Sequence, residues 1–182
     1  MKATGIVRRI DDLGRVVVPK EIRRTLRIRE GDPMEIFTNR DGEVILKKYS
    51  PIGEIDAFAK QYAESLAAVS GCYVVISDRD QVIAVSGGVK KEYIGRRISH
   101  ELEEIMEQRR TVNTDTDNVK TITIIDGQDV SNMGQIIFPI ICEGDVIGSV
   151  VLMSKTEKQQ VSDTEKKLVS VAADFLGRQM ES

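Results

Sequence analysis

The chain is 182 residues long, 41% hydrophobic and carries a formal net charge of −3. No apolar run reaches the roughly 18 residues needed to span a bilayer, which excludes a transmembrane helix. Met1-Lys2-Ala3-Thr4-Gly5 lacks the apolar stretch of a secretory signal. The two cysteines, Cys72 and Cys142, lie far apart in apolar surroundings, so free thiols in a reducing cytoplasm are expected rather than a disulfide.

The charge is unevenly spread. Residues 1–30 hold nine Lys/Arg against four Asp/Glu, net +5; residues 1–50 are net +4 and residues 51–182 net −7. A basic end on an acidic chain points to a polyanionic partner, nucleic acid first. The sign changes at Lys47-Lys48-Tyr49-Ser50-Pro51, where Pro51 favours an extended Ser50. Two domains are therefore expected, 1–50 and 51–182. A 50-residue domain without a disulfide pair or metal motif buries too little surface alone, so its missing core is expected from a second copy.

Chain order gives the elements of the first domain. Thr4–Ile10 reads as a strand, Asp12-Leu13-Gly14 as a turn and the β-branched Val16-Val17-Val18 as a second strand. Pro19 can open a helix, and Lys20–Leu26 supplies two turns with Ile22 and Leu26 on one face. That leaves Arg23, Arg24 and Arg27 to point elsewhere. Met34–Thr38 and Glu43–Lys48 form a hairpin across Asn39-Arg40-Asp41-Gly42, where Asp-Gly is a strong turn signal.

The run from Gly5 to Leu26, followed by Met34-Glu-Ile-Phe and Val44-Ile-Leu-Lys-Lys-Tyr, resembles the AbrB-type transition-state regulators. That resemblance implies a swapped-hairpin dimer, in which two chains interleave hairpins into one core. It also implies double-stranded DNA as partner, with contacts from Arg8, Arg15, Arg23 and Arg24 and assistance from Arg9. Strand alternation puts Arg8 and Arg9 on opposite faces and leaves open which one meets DNA. Recognition by DNA shape more than by a fixed base code is a further implication. The alternative reading of these arginines is a solvated face paired to Asp11, Asp12 and Glu21.

In the second domain, Ile55, Phe58, Ala59, Tyr62, Leu66 and Val69 mark an amphipathic helix over Glu54–Ser70, with Gly71 at its C-terminal cap. Strands follow at Cys72–Ser77 and Val82–Ser86, then a helix over Ser99–Arg110 with Ser99 as its N-cap. Three more strands are expected at Lys120–Ile125, Gln135–Cys142 and Val146–Met153. Ser162 and Glu165 form a capping box opening a last helix to about Met180. This is an α+β order, an antiparallel sheet with its helices on one side.

Val75-Ile-Ser-Asp, Val82-Ile-Ala-Val-Ser-Gly-Gly, Tyr93-Ile-Gly-Arg-Arg-Ile-Ser and Gly144-Asp-Val-Ile-Gly-Ser-Val-Val-Leu resemble GAF domains, small-molecule sensor modules. The fold class is thus mixed: a swapped-hairpin β-rich dimer domain, then an α+β GAF-like domain. Ser86, Gly87, Gly88 and Tyr93 are candidate ligand contacts; a plain turn before a helix is the other reading of the glycines. Phe58, Tyr62, Leu66 and Phe175 are candidates for an oligomer interface, through which two dimers would form a homotetramer.

The combination is similar to sporulation regulators of spore-forming bacteria, which implies a nucleoid-associated protein of the forespore. No catalytic residue, metal site or cofactor is expected. There is no Ser/His/Asp set or phosphate loop, and one histidine, His100, cannot make a metal site. Two alternatives stay open. A GAF-fold methionine sulfoxide reductase would need paired reactive cysteines, and an antitoxin-type DNA-binding module would carry a disordered tail instead of a patterned second domain.

Overall fold

The computed structural model describes residues 5–50, 56–89, 91–117, 119–127, 133–157 and 159–181. The chain divides into two compact units, Met1–Tyr49 and Ser50–Ser182. In the first, α1 (Lys20–Leu26) is followed by β1 (Met34–Thr38) and β2 (Val44–Lys48), an antiparallel hairpin with Phe37 opposite Ile45. Asn39 stabilises its turn: the Oδ1 atom accepts from the Asp41 and Glu43 amides at 3.1 and 2.9 Å.

Thr4–Ile10 and Val16-Val17-Val18 were expected as strands; Thr4 lies outside the described residues, and 5–10 and 16–18 belong to no strand. A strand needs a neighbour; the turn between these segments is closed by Asp11 N on Arg15 O and Gly14 N on Asp11 O, both at 3.0 Å. The apolar side chains tell the same story. Among the described residues of this unit no Val, Ile, Leu, Met or Phe is buried; Val7 is 85% exposed and Val44 68%. Leu26, expected on a packed face of α1, is exposed as well.

The second unit is built on a five-stranded antiparallel sheet in the order β4-β3-β7-β6-β5. The strands are β3 (Tyr73–Asp78), β4 (Val82–Ser86), β5 (Val112–Asn113), β6 (Gln135–Cys142) and β7 (Asp145–Met153). The helices are α2 (Asp56–Ser70), α3 (His100–Glu107) and α4 (Asp163–Arg178). Period-two alternation divides the core. Val74, Ile76, Ile136, Val150 and Leu152 face α2 and α4. Val75, Ile137, Val151 and Met153 face α3 and the long connection before β6. Helices therefore cover both faces, not one as expected, because β3, β6 and β7 are apolar at nearly every position.

Lys120–Ile125 was expected as a strand and is irregular. Side chains replace ladder partners there. The Gln135 amide oxygen accepts from Ile122 N at 2.8 Å, and its Nε2 donates to Ile122 O at 3.0 Å. Glu101 accepts from Thr123 N, and Ser99 N donates to Ile124 O at 2.8 Å. The short β5 was not foreseen. Its pairing ends at Ile137, two residues before Pro139, which has no N–H for a ladder.

Caps fall where the sequence placed them. Ser99 accepts from Leu102 N at the start of α3, and Ser162 with Glu165 forms the capping box of α4. α4 lies very close to β6: a Cβ on Gly177 would stand 2.2 Å from Ile141 O.

Candidate nucleic-acid interface

The arginines of the first unit stand on a tight turn and a short helix. Gly14 takes φ +75°, which lets the chain reverse at little steric cost. Asp11 closes this reversal. Its amide donates to Arg15 O at 3.0 Å, and its Oδ1 accepts from Leu13 N and Arg15 N at 3.0 and 2.8 Å. Its Oδ2 accepts from Arg15 Nε at 2.8 Å. The backbone N–H of Arg15, and then its guanidinium, hold the Asp11 carboxyl below its ordinary value.

Pro19 sits one position earlier than expected: it is the N-cap of α1, not its first residue, and its carbonyl accepts from Arg23 N at 2.9 Å. The C-terminal end closes with Ile28 N on Arg23 O and Arg27 N on Arg24 O, Arg27 being left-handed at φ 52°. Arg23 and Arg24 fill the exposed last turn, where the negative end of the helix dipole favours cations.

Arg8, Arg9, Arg15, Arg23 and Arg24 are all exposed. Arg15 is ion-paired to Asp11, and Arg8 Nη1 donates to the Val7 carbonyl at 3.2 Å. No ion pair holds Arg9, Arg23 or Arg24 among the described residues. Asp12 and Glu21, which could have neutralised them, pair with none of them. The surface is therefore an open set of cations with one internal pair, poorly described as a self-neutralised face. Sequence reasoning missed Asp11 as a structural element, although Asp at the start of a turn is a signal that could have found it.

The expected ligand residues of the second unit come together only in part. Gly87 (φ +81°) and Gly88 (φ +111°) follow Ser86 and lie against Cys72 and Tyr73; a Cβ on Gly87 would stand 2.1 Å from Cys72 O. Close backbone packing is a sufficient reason for glycine there. Tyr93 packs against the α3-side core, with the Arg96 guanidinium 5.8 Å from its ring centroid. A polar cavity of about 750 Å³ lies elsewhere, lined by Thr114, Asp115, Lys120, Thr121, Met133 and Gln159 among others, and none of the four expected residues lines it.

Of the expected interface residues, Phe58 is 52% exposed, and Phe175 is exposed and stacked on the half-buried Tyr62 with ring centroids 5.4 Å apart. Leu66 needs correcting. It is only 5% exposed and packs in the core between α2 and the sheet, so it has no surface to offer a partner. Burial pushes both cysteine thiols up, and among the described residues there is no cluster of three metal-ligating side chains.

Comparison with known proteins decides the family. Residues 54–181 match the family described as stage V sporulation protein T C-terminal, transcription factor. Stage V sporulation protein T of Bacillus subtilis (strain 168) is 57% identical over 181 residues, covering 100% of this chain and 99% of the relative. The chain belongs to the stage V sporulation protein T family. Residues 7–54 also match the family described as antidote-toxin recognition MazE, bacterial antitoxin. The transition state regulatory protein AbrB of Bacillus subtilis is 61% identical over 51 residues, 28% of this chain and 52% of that protein. The second unit of this chain has a GAF-like fold: a GAF domain from an Acinetobacter phosphoenolpyruvate-protein phosphotransferase superposes with a TM-score of 0.56 at 13% identity, over 74% of this chain and 84% of that one.

Proposed function

We propose that this chain is a DNA-binding transcription regulator of sporulation genes that works as an assembly of paired chains and performs no catalysis. The observation that carries the reading is the coincidence, in residues 5–49, of exposed cations with an uncovered apolar set. The cations suit a phosphate backbone. The apolar residues suit a second copy of the same unit, the interleaved hairpins implied by the AbrB-type resemblance. Arg8, Arg9, Arg15, Arg23 and Arg24 are the proposed DNA contacts. Residues 1–50 then act as the DNA-binding and dimerisation domain, and 51–182 as the sensor or assembly domain. The protein works in the cytoplasm, on the nucleoid of the forespore.

Phe58, Tyr62 and Phe175, with the exposed Val171, form an apolar strip along α2 and α4. Strips of this kind in soluble proteins are covered by partners. The strip supports pairing of GAF-like units, which joins two DNA-binding dimers into a tetramer. A small-molecule ligand near Ser86 and Tyr93 is a second role for that unit.

The reading is tested by gel shift of the full chain on duplex DNA, with light scattering on the same sample. Retarded duplex and a mass of two or four chains are expected. A monomer that leaves the duplex unshifted at low salt would overturn the reading.

A further inference from the structure

The turn from Asp11 to Arg15 carries an apparent contradiction. Arg15 is proposed to meet DNA, yet a carboxylate already holds it: Asp11 Oδ2 lies 2.8 Å from Arg15 Nε. Both side chains are open to water, Arg15 at 68% and Asp11 at 36%. An exposed pair of this kind adds little to stability. Meanwhile an acidic group on a surface that meets polyanionic DNA opposes binding by simple repulsion. On charge alone Asp11 belongs somewhere else.

Geometry gives it a use. A guanidinium has one donor on Nε and two on each terminal nitrogen, all in one plane. Asp11 takes the Nε donor only. The edge formed by the two terminal nitrogens has no partner among the described residues, and that edge makes two-point contacts with phosphate or guanine. The carboxylate is itself fixed, because its other oxygen accepts from the amides of Leu13 and Arg15. A long side chain that would otherwise sample many rotamers is thus clamped to a rigid turn before DNA arrives. Binding then loses less side-chain freedom.

We infer that Asp11 is a positioning residue for DNA binding, holding the Arg15 guanidinium with its outer edge presented to the duplex. The inference rests on the DNA-binding reading above. It makes a sign prediction that electrostatics alone reverses. Removing a negative charge from the binding surface should weaken binding at position 11. The adjacent Asp12, exposed and with no contact to Arg15, serves as the control.

The test uses the full chain and a fluorescein-labelled DNA duplex that wild type retards in the gel shift, with affinity read by anisotropy. Asp11→Asn keeps an oxygen for the two backbone donors and gives up the charged grip on Arg15. It is expected to bind roughly threefold to tenfold more weakly than wild type, the scale of one released long side chain in each of two chains. Asp12→Asn is expected to bind about as tightly as wild type or up to roughly threefold tighter, from charge removal. In an Arg15→Ala background the sign should turn, with Asp11→Asn then behaving like Asp12→Asn. Weakening by Asp11→Asn in both backgrounds would mean that Asp11 only maintains the turn, and would overturn the inference. So would unchanged or tighter binding of the single variant, with the DNA-binding reading left standing. Wild type that binds no duplex would bring down both.

Discussion

The Lys48 ammonium lies 3.1 Å from Asp32 Oδ2, in a carboxylate whose side chain is 1% exposed. The same oxygen accepts from Arg29 N at 2.8 Å, and Lys48 Nζ also donates to Arg27 O at 3.1 Å. This knot ties the end of β2 to the chain leaving α1. In a unit with no buried large apolar side chain among its described residues, it is a main internal fastening between hairpin and helix.

Asp32→Asn should therefore destabilise the first unit by about 2 kcal/mol, since it removes the charge of a buried carboxylate that binds both the ammonium and a backbone amide. Urea unfolding of the full chain, followed by the loss of DNA binding, measures it. A midpoint equal to that of wild type would show the knot to be ornamental.

DNA affinity should fall steeply with salt. Arg8, Arg15, Arg23 and Arg24 supply eight cations in a dimer, and the slope of log affinity on log salt should lie between roughly −4 and −7. Arg23→Ala should flatten that slope by up to about 2 in the dimer if the contact is to phosphate. Glu21→Ala should change affinity little. A slope near zero would contradict the assignment of these residues.

Gly177→Ala sets two effects against each other. Alanine raises helix propensity by about 1 kcal/mol. Its methyl, however, would sit 2.2 Å from the Ile141 carbonyl oxygen, so α4 must move off β6. Overpacking of this sort costs about 1–3 kcal/mol and usually more than the propensity gain. Thermal unfolding should show a lower Tm for the variant; a higher one would mean that the helix shifts freely.

Burial pushes the Asp78 carboxyl up from its ordinary 3.8, outweighing the Asp80 and Gln81 amides and the Ser50 hydroxyl that donate to it. A carboxyl raised in the folded state gives stability that is fully present below about pH 3.8 and lost as pH rises through the folded value. Asp78→Asn escapes that loss and can still accept from both amides. The stability difference between variant and wild type should shift in the variant's favour as pH climbs from 3.8 toward neutrality. A difference that does not vary with pH would show that Asp78 ionises as easily folded as unfolded.

Phe58 and Leu66 lie on one helix and should respond oppositely to glutamate. Phe58→Glu, on the exposed strip, should keep the fold within about 0.5 kcal/mol and yield dimers by light scattering. Leu66→Glu buries a charge in the core and should cost more than about 3 kcal/mol. Tetramers that persist in the Phe58 variant would remove the strip as an interface.

Local signals were legible where an element satisfies itself. The limits of α1, β1, β4 and β6 follow from turn residues and periodicity, and both predicted caps are present. Reading failed where partners are remote. Thr121-Ile122-Thr123 alternates like a strand, but its backbone bonds go to the side chains of Gln135 and Glu101, a substitution that no local pattern reveals. Nor does the stripe of α2 tell an outward Phe58 from an inward Leu66; that is decided by where the sheet lies. The arginines were visible by composition, whereas the grip of Asp11 on one of them required the turn to be folded.

The uncovered apolar residues of the first unit also set how the protein responds to its own abundance. A unit that hides its apolar side chains only by pairing has no stable folded half, so its folding is tied to chain concentration. The concentration of paired chains then climbs as the second power of total concentration when the protein is scarce. A doubling of synthesis would raise the competent form up to fourfold, so DNA occupancy would turn on over a narrower range of expression than a monomeric binder allows.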